Sequence, residues 1–216
     1  MSAELQEYYA ARAPEYDRVY RKPERQQDLR SIERWLPTSL GGRAILELAC
    51  GTGYWTQFLA PVATELVAID ASAEVLQIAK ARVEGGVVSF ALGDAYSPPM
   101  TLRRFEAAFA GFWFSHIPLA RVREFFQGLH RVLAPGARVV LLDNRFVPGS
   151  STPISERDDQ GNLYQARRLE DGSIHKVIKN FPSEHALRQA VAEFATEVSF
   201  HEWQYFWALE YVVAAP

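Results

Sequence analysis

The chain has 216 residues, 48% of them hydrophobic and 23% charged, with a formal charge of −3; that length suits one domain with a sizeable core, and the slight acidity gives no electrostatic reason to expect nucleic acid. Cys50, the single cysteine, excludes an internal disulfide and a Cys-rich zinc site, so no metal is expected and a reducing compartment fits. The start MSAELQEYYA is too polar for a signal peptide, and no apolar run approaches the roughly 20 residues that cross a bilayer, so the expectation is a cytoplasmic protein without membrane insertion.

Residues 2–35 carry helical patterning interrupted at Pro14 and Pro23 and dense in tyrosine (Tyr8, Tyr9, Tyr16, Tyr20). AILELACGTGYWT (44–56) follows. Its apolar run predicts a strand buried on both faces, its two glycines a sharp turn that lets another molecule approach the backbone, and Tyr54 to Ala60 a helix. TELVAID (64–70) is a second strand ending in an acid, SAEVLQIAKARV (72–83) a helix with Ser72 as N-cap, and VVSFALGD (87–94) a third strand ending in an acid. FEAAFAGF (105–112) is a fourth. In 119–133 apolar residues recur at 122, 125, 126, 129, 132 and 133, which is one helix face. Pro135-Gly136 is expected to stop that helix before a fifth strand, 137–143.

Strands alternating with helices of this length predict an α/β domain with a doubly wound, mostly parallel sheet. The tail breaks the rhythm. Residues 162–181 read as a hairpin around Glu170-Asp171-Gly172, a helix starts near Ser183, and two adjacent strands then close the chain as antiparallel neighbours.

The glycine pair admits several ligands. A dinucleotide site wants a third glycine where Thr56 stands, and a P-loop wants Gly-Lys-Ser/Thr. Glu47, Asp70 and Asp94 at three successive strand ends supply acceptors for an ammonium, a ribose diol and an adenine amino group. No basic group is placed for phosphates.

With LELACGTG, VAIDAS, LGDA, AGFWFSHIP and LHRVLAPGARVVLLD, the chain resembles the class I S-adenosylmethionine-dependent methyltransferases of small-molecule type. The resemblance covers roughly residues 44–143. It implies a Rossmann-like seven-stranded sheet with an antiparallel last strand, S-adenosyl-L-methionine as cofactor and S-adenosyl-L-homocysteine as product. It further implies that Glu47, Ala49, Gly51 and Gly53 surround the methionine moiety, that Asp70 holds the ribose flanked by Ala71 and Ser72, and that Asp94 and Ala95 flank the adenine. Phe112 and Trp113 would lie beside the sulfonium. Residues 1–40 are similar to the helical cover of small-molecule members, with Tyr16 as the candidate contact.

His116, just after the fourth strand, is the candidate general base or polar anchor, with an ordinary pKa near 6.5 in mind, or else a residue that ends the loop before Pro118. Arg145 could hold an acidic substrate or pair with a surface acid. Residues 148–181 form a candidate lid whose five cations and five acids cancel, so no polyanion patch is expected there. Residues 183–216 complete a single methyltransferase domain. The expected acceptor is a small molecule, by O-, N- or C-methylation. Alternatives are an NAD(P)-dependent oxidoreductase, an RNA methyltransferase and a non-catalytic cofactor-binding protein; oligomeric state stays open.

Overall fold

The computed structural model describes residues 13–83, 85–100 and 104–215, with side chains from Asp17 onward. A 3-10 segment over Ala13–Arg21 and a short one over Pro23–Arg25 lead into helix α1 (Gln26–Leu40). Then come β1 (Ala44–Leu48), α2 (Thr56–Leu59), β2 (Glu65–Asp70), α3 (Ala73–Arg82), β3 (Val88–Leu92) and β4 (Phe105–Gly111). Helix α4 (Val122–Val132) runs into β5 (Leu133–Asn144). Strands β6 (Glu156–Arg157), β7 (Leu163–Arg168) and β8 (Ile174–Ile178) form the insert, and α5 (Glu184–Val191), β9 (Ala195–Glu202) and β10 (Phe206–Val213) close the chain.

Seven strands make one sheet in the order β3-β2-β1-β4-β5-β10-β9, and β6-β7-β8 make a second, antiparallel one. The first five strands of the large sheet are parallel, while β10 pairs antiparallel with both β5 and β9. Neighbouring residues point to opposite faces. Leu46, Val139 and Leu141 enter the core under α4 with Phe125, Phe126 and Leu129. Ile45, Val140 and Leu142 enter the other core, under α1, with Leu29, Ile32, Leu36 and Leu40. Ser72 caps α3, its hydroxyl accepting from the Val75 N–H, and Ser183 caps α5 in the same way.

Two boundaries differ from the sequence reading. Helix α4 ends at Val132 and β5 begins at once. Pro135-Gly136 lies inside the strand, where pairing slips from Phe105 opposite Leu133 to Ala107 opposite Arg138 and Gly136 takes φ 79°. A bulge absorbs the residues that propensity would spend on a helix stop. The hairpin of 162–181 also gains a third strand, β6, so the insert is a small sheet.

The order of the large sheet brings the C-terminal ends of β1, β2, β4 and β5 to one edge, because sequence neighbours diverge from β1 in both directions. Such a switch point is where open sheets bind ligands. Helix α4 must approach closely to cover this region: a Cβ on Gly128 would sit 2.0 Å from the Tyr96 carbonyl oxygen. Helix propensity alone favours alanine over glycine by about 1 kcal/mol. Backbone overlap outweighs it, and Gly128→Ala should lose about 1–3 kcal/mol net, as overpacking does. Thermal unfolding of the variant checks this, with a lower midpoint expected and a higher one showing that α4 can shift off Tyr96.

Candidate active site

The turn after β1 is held by the tip of β2. The Gly51 N–H donates to Asp70 Oδ2 and the Ser72 N–H to Asp70 Oδ1, both at 2.9 Å. Asp70 thus shapes the glycine turn, and burial raises its pKa against those backbone bonds. Gly51 and Gly53 take φ 56° and 76°, the left-handed region that favours glycine. At Gly53 a Cβ would also come within 3.1 Å of Ala79 in α3, so this glycine admits a helix as much as a ligand. Ala49 takes φ 51° without being glycine, as does Phe112 at φ 59° after β4. Backbone strain therefore sits on both sides of the strand ends.

Glu47 is enclosed in β1, and its Oε2 has no hydrogen-bond partner among the described residues. Burial pushes its pKa up to about 8, tempered by the nearby Thr56 hydroxyl and raised further by Asp70. A lone buried acceptor beside the glycine turn suits an ammonium-bearing ligand. Asp94 lies past the end of β3, exposed, with its Oδ1 accepting from the Tyr96 N–H. Ala71 follows Asp70 into the α3 cap, and Ala95 is buried in the core under α4. Cys50 is buried, and burial raises its thiol pKa well above the ordinary value, so it packs as an inert side chain.

Phe112 and Trp113 part company. Phe112 stacks between Tyr20 and Phe206, with ring centroids 5.6 Å from each, whereas Trp113 turns into the other core against Tyr96. Tyr20 also stacks on Tyr54 of the glycine turn. Asp17 accepts from Thr52 Oγ1 at 2.6 Å and pairs with Arg82 of α3. Residues 17–25 therefore lie across both the turn and the end of β4. The side chain of Tyr16, and all of Tyr8 and Tyr9, fall outside the described residues.

A cavity of about 330 Å³ opens between this segment and the insert, floored by Phe112, His116 and Asn144 at the ends of β4 and β5. Its walls carry Arg18, Lys22, Arg25, Arg167, Arg168 and Lys179. Arg145, a candidate either to hold an acidic substrate or to pair with a surface acid, takes the second role: it donates to the Trp203 carbonyl and pairs with Glu202. The cancelling charges of the insert are separated in space. Glu156 pairs with Lys176 and Glu170 with Arg18, while Asp158 is used up capping its own loop at Asn162 and Tyr164.

His116 is buried, and its Nδ1 lies 2.7 Å from the Ile178 carbonyl oxygen. A carbonyl only accepts, so Nδ1 carries the proton and the lone pair is on Nε2. Burial first, then Lys179 and Arg167, hold its pKa well below the ordinary value. The expectation of a base titrating near 6.5 is thereby corrected: this imidazole is neutral and weakly basic. Below it Lys179 Nζ pairs with Asp143 Oδ1 at 2.8 Å and donates to Ser115 Oγ. Asp143 Oδ2 accepts from the Ser115 N–H at 2.9 Å. Burial works to raise the Asp143 pKa, but the charge and hydrogen bond of Lys179, with the Ser115 N–H, hold it below the ordinary carboxylate value.

Two outcomes follow from these buried acids. Glu47 titrates near the ordinary 4.5 when unfolded and near 8 when folded, so the folded state holds the extra proton between those values. Its contribution to stability is present below about 4.5 and lost as pH rises towards 8. Without cofactor, thermal midpoints measured across this range should fall with pH in the native chain and less so in Glu47→Gln; parallel curves would remove the assignment. Lys179→Met leaves Asp143 charged and alone, which costs about 3–5 kcal/mol. Adding Asp143→Asn should recover part of that loss in denaturant unfolding, and a double variant no better than the single would contradict the pairing.

Residues 45–136 match a methyltransferase-domain family. Demethylmenaquinone methyltransferase of Lactococcus lactis subsp. lactis (strain IL1403) is 33% identical over 112 residues, 48% of this chain and 43% of that protein. The chain spans about half the length of the curated relatives it matches. The structure is similar to a complex of DhpI with SAH (TM-score 0.78, 26% identity, 99% of this chain and 97% of that one). It is equally similar to a DhpI complex with SAM and HEP (TM-score 0.77, 26% identity, 98% and 99%). Residues 45–136 thus match a methyltransferase domain, inside a strand order that is similar over nearly its whole length to proteins crystallised with SAM and SAH.

Proposed function

We propose that this chain transfers the methyl group of S-adenosylmethionine to a small molecule seated in the cavity above β4 and β5. The observation that carries the reading is the shared edge. The glycine turn, Asp70 and Glu47 stand at the ends of β1 and β2, and the cavity opens over the adjoining ends of β4 and β5, with Phe112 on its floor. Bound there, the cofactor supplies an activated methyl carbon on a good leaving group. What remains for the protein is to align an acceptor and keep water out. Residues 17–25 and the insert cover the cavity and suit that task.

Asp70 would receive the ribose hydroxyls while its backbone bonds keep the turn in shape, Glu47 would face the ammonium of the methionine moiety, and Asp94 the adenine. Trp113, turned into the core, would serve as packing, and Phe112 would separate the acceptor from the aromatic cluster behind it. The neutral imidazole of His116 would orient an acceptor through a hydrogen bond. Asp70→Ala should weaken S-adenosylhomocysteine by about 1.5–3 kcal/mol, the loss of two charge-assisted hydrogen bonds, or roughly ten- to a hundredfold. Calorimetry on the folded variant measures this, and an unchanged dissociation constant would take the ribose away from Asp70.

A further inference from the structure

We infer that the methyl acceptor of this site is a small oxyanion, a carboxylate or phosphate-type group gripped by Arg25 and Lys22 and methylated on oxygen. The inference rests on the methyl-transfer reading above and names its substrate class.

The cavity wall holds six cationic side chains and, among the described residues, no aspartate or glutamate. Two of the six are already matched by acids behind them: Lys179 by Asp143 and Arg18 by Glu170. Arg25 and Lys22 are different. Arg25 is 3% exposed, and its guanidinium donates only to neutral oxygens, Ser150 Oγ at 3.0 Å and Asn144 Oδ1 at 2.8 Å. Its flat face lies over Tyr205 and Phe206. Lys22 donates to the Ser150 carbonyl. The acids of the same segment reach these cations without an ion pair among the described residues: exposed Glu24 accepts from the Ser150 hydroxyl that also receives Arg25, Asp28 accepts from the Tyr205 N–H, and burial outweighs both in holding the Arg25 pKa below its ordinary value.

A buried cation held by neutral groups costs stability unless a counter-charge arrives. Keeping buried Arg25 and half-buried Lys22 together at a cavity mouth makes sense if the ligand brings that charge. Arg167 and Arg168 on β7 add to the same positive field, as does Lys179 despite its partner, and the imidazole of His116 is kept neutral in it. An apolar quinone ring would have to strip water from these cations and return nothing. An oxyanion would be drawn in by them, and guanidinium geometry suits two oxygens of a planar or tetrahedral acid.

The reaction then needs no base, which agrees with a weakly basic His116. A lone pair on the acceptor oxygen forms the new C–O bond as the methyl C–S bond breaks, and the bonding pair leaves with sulfur. The acceptor loses one negative charge, the sulfonium its positive charge, and no proton moves.

The test titrates S-adenosylhomocysteine-loaded protein with phenyl phosphate, benzoate and phenol by calorimetry at low and high salt. At least one anion should bind about tenfold or more tightly than phenol, a gap of about 1.4 kcal/mol, and the gap should narrow with salt. The two anion arms tell a tetrahedral from a planar acid. Arg25→Met should remove the preference; since Arg25 also packs the cover, Lys22→Met is the second variant, expected to weaken the anion about tenfold while S-adenosylhomocysteine stays within about twofold. Phenol binding as well as both anions, neither anion binding at all, or anion binding indifferent to both substitutions would overturn the inference and leave the methyltransferase reading standing. Failure to bind S-adenosylhomocysteine would instead bring down that reading itself.

Discussion

The ion pair between Lys179 and Asp143 holds the two halves of the site together. Asp143 ends β5 in the sheet, and Lys179 follows β8 in the insert. Their buried contact pins one to the other, and around it the backbone of Ser115 and the side chain of Asn144 complete the carboxylate's hydrogen bonds. Asn180 continues the anchor by donating to the Ile117 carbonyl and accepting from the Leu163 N–H. Charges this deep are tolerated when every lone pair is met, and removal of one partner exposes the full desolvation cost of the other. The insert therefore leaves the sheet from a fixed base. Its tip at Glu170-Asp171-Gly172 reaches the N-terminal segment through Arg18.

That geometry makes the cavity a joint product of three distant stretches of chain. Residues 18–25 form one wall, the ends of β4 and β5 the floor, and residues 150–152 with β7 the other wall. Ser150 is the meeting point, receiving Arg25 and Lys22 from one side and donating to Glu24. On the cofactor side the same N-terminal segment touches the glycine turn through Asp17 and Tyr20. One segment thus bridges the glycine turn and the cavity, an arrangement that would shield both from water together in the proposed methyl transfer.

Strain and orphaned polar atoms gather at the same edge. Ala49 and Phe112 hold left-handed backbone at the ends of β1 and β4, and among the described residues Glu47 finds no partner for one oxygen. Features that cost folding stability survive where function asks for them. The sheet behind them is packed from both faces by branched and aromatic side chains, which is where the compensating stability resides.

Sequence alone determined the frame. The short apolar runs, the acids at their ends, the Gly51–Gly53 turn and the helical stripe at 122–133 are local signals, and local sterics decide them. Even the antiparallel close was legible, because two strands joined by a short turn have no other way to pair. What only tertiary structure decided was where charges go. Five cations against five acids in the insert summed to nothing on paper, yet folding placed Lys179 under the floor, Arg167 and Arg168 on the wall, and Glu156 and Glu170 in pairs elsewhere. Nothing local marked Arg25, and Arg145 could equally hold an acidic substrate or pair with a surface acid; the fold buried the first and gave the second its surface acid, Glu202. Summed charge carries no direction, and the energy of an ion depends on its solvent exposure and its neighbours within a few ångströms. Those are set by chain segments more than a hundred residues apart.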